Sequence, residues 1–304
     1  MVYYAETVCQ AKVKSSGLAC KNLAYYQQDK QFLCGVHSKK DKRTELTKNP
    51  NAKKEKEEKL KQHFLSHETL KNPFSVGSIT VKKMQMMKTP SLVNGVLNVF
   101  PNFKDGNRKD GFGCPSLSPK SLGPVNHGMP NLPPAKNIEN YHQFAKFWEF
   151  EMDGNEIKPE YFQKRIEAYN DDKPYRHKHS RDILKKYGNV NIPKFSIFYD
   201  KNEKPHFYNY LQCRYFYCHF YELLAKEQAD LITLKDKYKN GYHLCIYGYD
   251  GYEPKNNLME MYLDTSKPFG HEMVLYTLLI EDDPDKYPWN RYYQENKAIY
   301  EGII

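Results

Sequence analysis

Apolar and polar positions change period several times along the chain, and each change marks an element. Ile138, Tyr141, Ala145 and Trp148 recur at helical spacing behind Asn137, an amide suited to capping a first turn. Together they predict a helix through NIENYHQFAKFWEFE. EYFQKRIEAYNDD repeats the helical period. KFSIFYD and KPHFYNYL flank the polar turn Asp200–Lys204 and predict a β-hairpin. Residues 212–227 are aromatic around most of a helical circumference, the signature of a helix buried on all sides, so Cys213, Cys218 and His219 read as packing rather than metal ligation. ADLITLKDKYKNGY is a further helix, stopped by Gly241. HLCIYGYDGY predicts a short buried strand over 243–247 that opens into a glycine-flanked turn. SKPFGHEMVLYTLLIE opens a helix whose core face holds Met273, Val274, Leu275, Leu278 and Leu279, and the aromatic tail after it is expected to pack across the body. Residues 94–136 have little period and much Gly, Pro, Asn and Ser, which predicts a long ordered loop that lines something. The fold class expected is α+β: a mainly helical single body with a small β-sheet, preceded by a small zinc-binding module.

Charge divides the chain more sharply than hydropathy does. Residues 1–90 carry 18 Lys and Arg against 8 Asp and Glu, whereas residues 91–304 carry 28 against 29. The net charge of +9 therefore belongs to an N-terminal attachment on a near-neutral body. Three regions are predicted: a zinc-binding module over 1–42, a lysine-rich helical linker over 43–90 with Lys54–Glu58 and Glu57–Lys61 pairs, and an α+β domain over 91–304. Residues 1–90 are either a solvated attachment or a nucleic-acid contact. No apolar run is long enough to span a membrane and MVYYAETVCQ lacks the core of a secretory signal, so an intracellular protein without membrane contact is expected.

Seven cysteines without a secretory signal argue for thiols or metal ligands over disulfides. Cys34 and His37 stand in a C-x-x-H pair around Gly35, the turn spacing that points two side chains at one metal, and Cys9 and Cys20 supply two more donors. Four protein ligands leave no open position, so the zinc expected is structural. The alternative is three unrelated thiols and a surface histidine.

Candidate chemistry in the body falls in three places. Glu139, Gln143 and Lys146 form a polar stripe on the first predicted helix, to be weighed against an ordinary solvated face. Arg176 and His177, within KPYRHKHSRD, suit a phosphate or form a solvated basic loop. Asp250 stands in the turn after the buried strand, and Gly270 and His271 open the last long helix, where free amides favour an anion.

LNVFPNF leading into NIENYHQFAKF is similar to the start of NADAR-type domains, whose helix has the form E-x-x-x-Q-x-x-K. Glu139, Gln143 and Lys146 match it, and Asp250 matches the acidic turn residue. Gly251-Tyr252 stands where that family has Trp-Gly, and Phe269-Gly270-His271-Glu272 replaces its terminal Asn-x-Leu-Gly. The N-terminal module resembles treble-clef-like zinc modules, and GFGCPSLSPKSLGPV and KPFGHE resemble uncharacterised proteins of large DNA viruses. These resemblances imply a virus-encoded protein of the host cytoplasm, nucleus or virion. They also imply N-glycosidase chemistry on an ADP-ribose-type small molecule or modified macromolecule. Glu139 and Asp250 would then be catalytic, with Gln143, Lys146, Arg176, His177, Gly270 and His271 binding substrate. The competing expectation is a non-enzymatic zinc protein that binds nucleic acid through residues 1–90 or packs in a virion or host-interaction complex.

Overall fold

The computed structural model describes residues 2–66, 70–188, 193–255 and 257–303. The chain divides into two compact units, Met1–Lys59 and Leu60–Ile304, so the boundary falls earlier than the lysine count places it.

The first unit is a pair of hairpins. Val8 and Leu23, then Lys12 and Ala19, are antiparallel partners, and the SSG turn between them closes on Gly17 at φ +68°. Strands β1 (Tyr26–Gln28) and β2 (Gln31–Leu33) follow, joined through Asp29 and Lys30, both left-handed as a two-residue hairpin turn demands. β3 (Thr44–Glu45) pairs with β1. The unit buries few apolar side chains, chiefly Leu33 and Ala24, and its remaining interior is the three cysteines. The lysine-rich helix α1 (Ala52–Ser66) forms as expected and buries no residue. Along it Lys61 pairs with Asp230 at 2.8 Å, and Lys53 with Glu57 at 3.7 Å.

The second unit is built on a four-stranded sheet of β4 (Ile79–Lys83), β5 (Leu97–Phe100), β6 (Phe112–Gly113) and β12 (Leu244–Gly248), in the spatial order β4-β12-β5-β6 and parallel throughout. β12 is buried over its whole length, which explains its unbroken apolar sequence. Thus β4, which the sequence reading assigns to the linker, is a structural strand of the body. A three-stranded antiparallel sheet joins β7 (Lys146–Phe147), β10 (Phe195–Tyr199) and β11 (Pro205–Tyr208), and β8 (Met152–Asp153) and β9 (Glu156–Ile157) form a minimal hairpin. The helices are α2 (Ile138–Gln143), α3 (Pro159–Asn170), α4 (Arg181–Tyr187), α5 (Tyr210–Lys226), α6 (Ala229–Lys239), α7 (Leu258–Leu263), α8 (His271–Ile280) and α9 (Pro288–Glu295). The fold is α+β.

α5 runs through the core, packed against α8 and α9, and buries Tyr215, Phe216, Cys218 and Tyr221. Glu222 on α5 accepts from Trp289 Nε1 at 2.7 Å, so the tail does pack across the body. The segment 94–136 is not all loop. It contributes β5 and β6, and then plugs the core with Leu117, Leu122, Val125 and Ala135.

The predicted helix through 148 ends early. Phe144 caps α2, and from Lys146 the backbone pairs with Ser196 and Phe195, because a segment rich in aromatics gains more from a sheet partner than from two further helical turns. Glu139, Gln143 and Lys146 therefore do not share a helix.

Candidate functional site

Although they sit on different elements, those three side chains still converge. They line a cavity of about 220 Å³ together with Arg176, Asp250 and Gly270. Glu139 comes from the first turn of α2, fixed by the Asn137 side chain, which accepts from Asn140 N at 2.8 Å. Asp250 comes from the turn after β12. Gly270, which lines the cavity, is the N-cap residue of α8, and no side chain caps that helix start.

Close approach dictates two glycines. A Cβ on Gly248 would occupy the position of the buried Glu272 carboxylate, and one on Gly270 would lie 3.1 Å from Asp250 Cβ. These glycines let α8 and the Asp250 turn meet. Glu272 Oε1 lies 3.4 Å from Asp250 N and orients that turn from beneath.

Electrostatics follow from burial. Loss of solvent lowers the Lys146 ammonium below the usual lysine range, against the opposing pull of Cys213, Glu139 and Asp250. His142, on the same wall, is driven well below the ordinary histidine value by burial and is a neutral imidazole. Burial raises the Cys213 thiol, which removes it as a nucleophile.

Several lining residues escaped the sequence reading. Arg214 belongs to α5, and its guanidinium donates to the carbonyls of Tyr262, Asp264 and Lys267, the last at 2.9 Å. It is a fixed positive charge on the cavity wall rather than a loose one. Tyr210 and Tyr217 add aromatic surface from the same helix. The available signal was an arginine placed on an otherwise aromatic helix. Asn140 was also missed. Wholly buried, it donates to Ala168 O, Asp171 O and Lys173 O at 2.9, 3.0 and 3.2 Å and accepts from Tyr175 N at 3.0 Å, which clamps the loop that delivers Arg176. Asn140→Ala is expected to lower stability by about 2–4 kcal/mol, read from the urea midpoint, because four hydrogen bonds near one buried amide are lost together.

Two nominated residues do not reach the cavity. His177 turns inward to stack on Phe144 at 4.9 Å, with Nε2 3.0 Å from Glu151 Oε1. His271 points its Nδ1 at Glu272 Oε2, 3.3 Å away, since a buried carboxylate attracts the nearest imidazole more strongly than an open cleft does. Nor does the 94–136 segment line this cavity, having spent its apolar residues on the core.

In the first unit the ligand atoms of Cys9, Cys20, Cys34 and His37 lie within 4.8 Å of one another. His37 Nδ1 is 3.4 Å from Cys9 Sγ and 3.3 Å from Cys34 Sγ. Metal–ligand bonds of a tetrahedral zinc centre place sulfur and nitrogen about 3.5 Å apart, so the four donors have the geometry to hold a metal ion. The first hairpin brings Cys9 and Cys20 together, with Cys20 N bonded to Ala11 O at 2.9 Å, and the turn after β2 presents Cys34 and His37. Burial alone would raise the Cys34 thiol, but the backbone N–H groups of His37 and Val36 bring it down to about 6.

Among the described residues, no helix is long and apolar enough to cross a membrane. No family model, curated protein or solved structure matches the chain.

Proposed function

We propose that the body hydrolyses an N-glycosidic bond in a ribose-phosphate substrate of the ADP-ribose type, and that the N-terminal Cys3His cluster holds a structural zinc ion. One observation carries the hydrolase: two carboxylates, Glu139 and Asp250, share a single cavity with Lys146, Arg176 and the open N-terminus of α8.

Breaking a glycosidic C–N bond leaves positive charge on the anomeric carbon as the electron pair departs with the base. Glu139, the more buried carboxylate, stabilises that charge in a medium of low dielectric. Asp250, at the exposed mouth, orients the attacking water and accepts its proton, which is then returned to the departing nitrogen. Arg176, Lys146 and the α8 amides hold the phosphate, and Gln143 hydrogen-bonds the sugar. Tyr210 and Tyr217 offer faces for the base. The cavity volume lies below the roughly 300–1,000 Å³ of sites that enclose a drug-sized ligand. It suits one ribose phosphate, so the rest of a dinucleotide or macromolecule would extend through the mouth.

The test is a panel of ribosylamine phosphates, ADP-ribosylated nucleobases and ADP-ribosylated protein incubated with the wild-type chain, with released base and reducing sugar followed by mass spectrometry. Turnover of at least one member is expected. A panel left wholly intact overturns the hydrolase.

A further inference from the structure

We infer that Glu151, His177 and His179 form a second, buried site for a divalent transition-metal ion of the zinc type, independent of the N-terminal cluster and of the chemistry in the cleft. The three ligand atoms lie within 4.8 Å of one another. Glu151 Oε1 is 3.0 Å from His177 Nε2 and 3.8 Å from His179 Nδ1, bracketing the roughly 3.3 Å between nitrogen and oxygen ligands on a tetrahedral zinc.

The surrounding hydrogen bonds are those of an oriented ligand set. His177 Nδ1 sits 3.1 Å from the carbonyl of Lys146, and donation there leaves the Nε2 lone pair facing a carboxylate oxygen. Glu151 Oε2 accepts from Trp148 N at 3.1 Å, which aims Oε1 at the imidazoles, yet Oε1 itself makes no hydrogen bond. Two lone pairs cannot face each other at that separation without a cation between them. A single proton would join Glu151 to His177 alone. A metal ion engages His179 as well.

Enclosure says what the ion does. The side chains of Glu151, His177 and His179 are 0, 6 and 4% exposed, and Trp148, at 4.4 Å between ring centres, and Phe150, at 4.9 Å, pack edge-on to the His179 ring. An ion so enclosed fastens elements rather than reacting. It ties the 174–180 loop, which carries Arg176, to the turn that follows β7, which carries Lys146. A histidine pair in a basic loop reads from sequence as a phosphate contact, and only the fold shows Glu151 beneath it.

The experiment is a cobalt titration of the full-length wild-type apoprotein, with metal content measured after removal of excess ion. Two equivalents per chain are expected. One should show the near-ultraviolet thiolate-to-cobalt band of the cysteine cluster, and the other should show only weak visible bands. Cys34→Ser should abolish the thiolate band and retain the second equivalent, whereas His179→Ala or Glu151→Gln should halve the metal content and keep the band. A wild-type chain that takes up one equivalent, all of it thiolate-bound, overturns the site. Because this readout uses wild-type protein, the outcome stands even if the substituted chains fail to fold.

Discussion

Glu139→Gln is expected to lower kcat on any N-glycoside the wild-type turns over by about 10²- to 10⁴-fold, the usual range for a carboxylate that acts in the transition state. KM should change little, since the phosphate contacts proposed for Arg176, Lys146 and the α8 amides would be made equally in the ground state. The fold should survive. Glu139 is only partly buried, and its backbone N–H, bonded to Pro119 O at 2.9 Å, is untouched by the substitution. Steady-state kinetics with a thermal melt distinguishes the outcomes: kcat unchanged with intact protein removes Glu139 from the mechanism, and a lost melt reassigns it to structure. Asp250→Asn should fall in the same range but with a pH profile that loses its acidic limb, because the group proposed to take the proton from water has gone.

Stripping metal from the Cys9–Cys20–Cys34–His37 cluster has the larger expected effect on stability. The first unit has almost no apolar core beyond its cysteines, so the binding energy of the zinc ion proposed there would be its folding energy, on the order of 10 kcal/mol near neutral pH. A chelator, or Cys34→Ser, should therefore unfold residues 1–59 while 60–304 retain their own transition. Hydrogen exchange checks this directly, since the amides of Cys9 and Cys20, bonded to Asn22 O and Ala11 O, should lose protection together. The pH dependence has a definite sign. Before any ion binds, the Cys34 thiol lies at about 6 in the fold against an ordinary value of 9.0, so its own contribution is whole above pH 9, declines between 9 and 6, and is absent below 6. Protection that persists after chelation, or that rises on acidification, would contradict the zinc assignment.

How much of this was legible in the sequence depends on whether a signal was local. The C-x-x-H turn, the all-aromatic α5, the β10–β11 hairpin and the glycine-led α8 each announce themselves within a few residues, and each is where the pattern places it. β4 was hidden because Lys82 and Lys83 sit inside a charged stretch, and only pairing with β12 reveals that Val81 is a core residue. Lys146 lines the same cavity as Glu139, but not through the helix expected. The helix stops before it, and its position is set by the sheet partner Ser196, fifty residues further on. Asn140 carries no local mark, and Arg214 only that of a charge on an aromatic helix, because what they do depends on carbonyls contributed by distant segments.

The strand order of the parallel sheet bears on how the protein is made. β12 lies between β4 and β5, so those two strands, close in sequence, never pair with each other. During synthesis both must stay without their central partner until residue 248 has cleared the ribosome, each holding an open edge until then. Fragments that stop short of β12 should accumulate as insoluble material, whatever becomes of the cysteine module ahead of them.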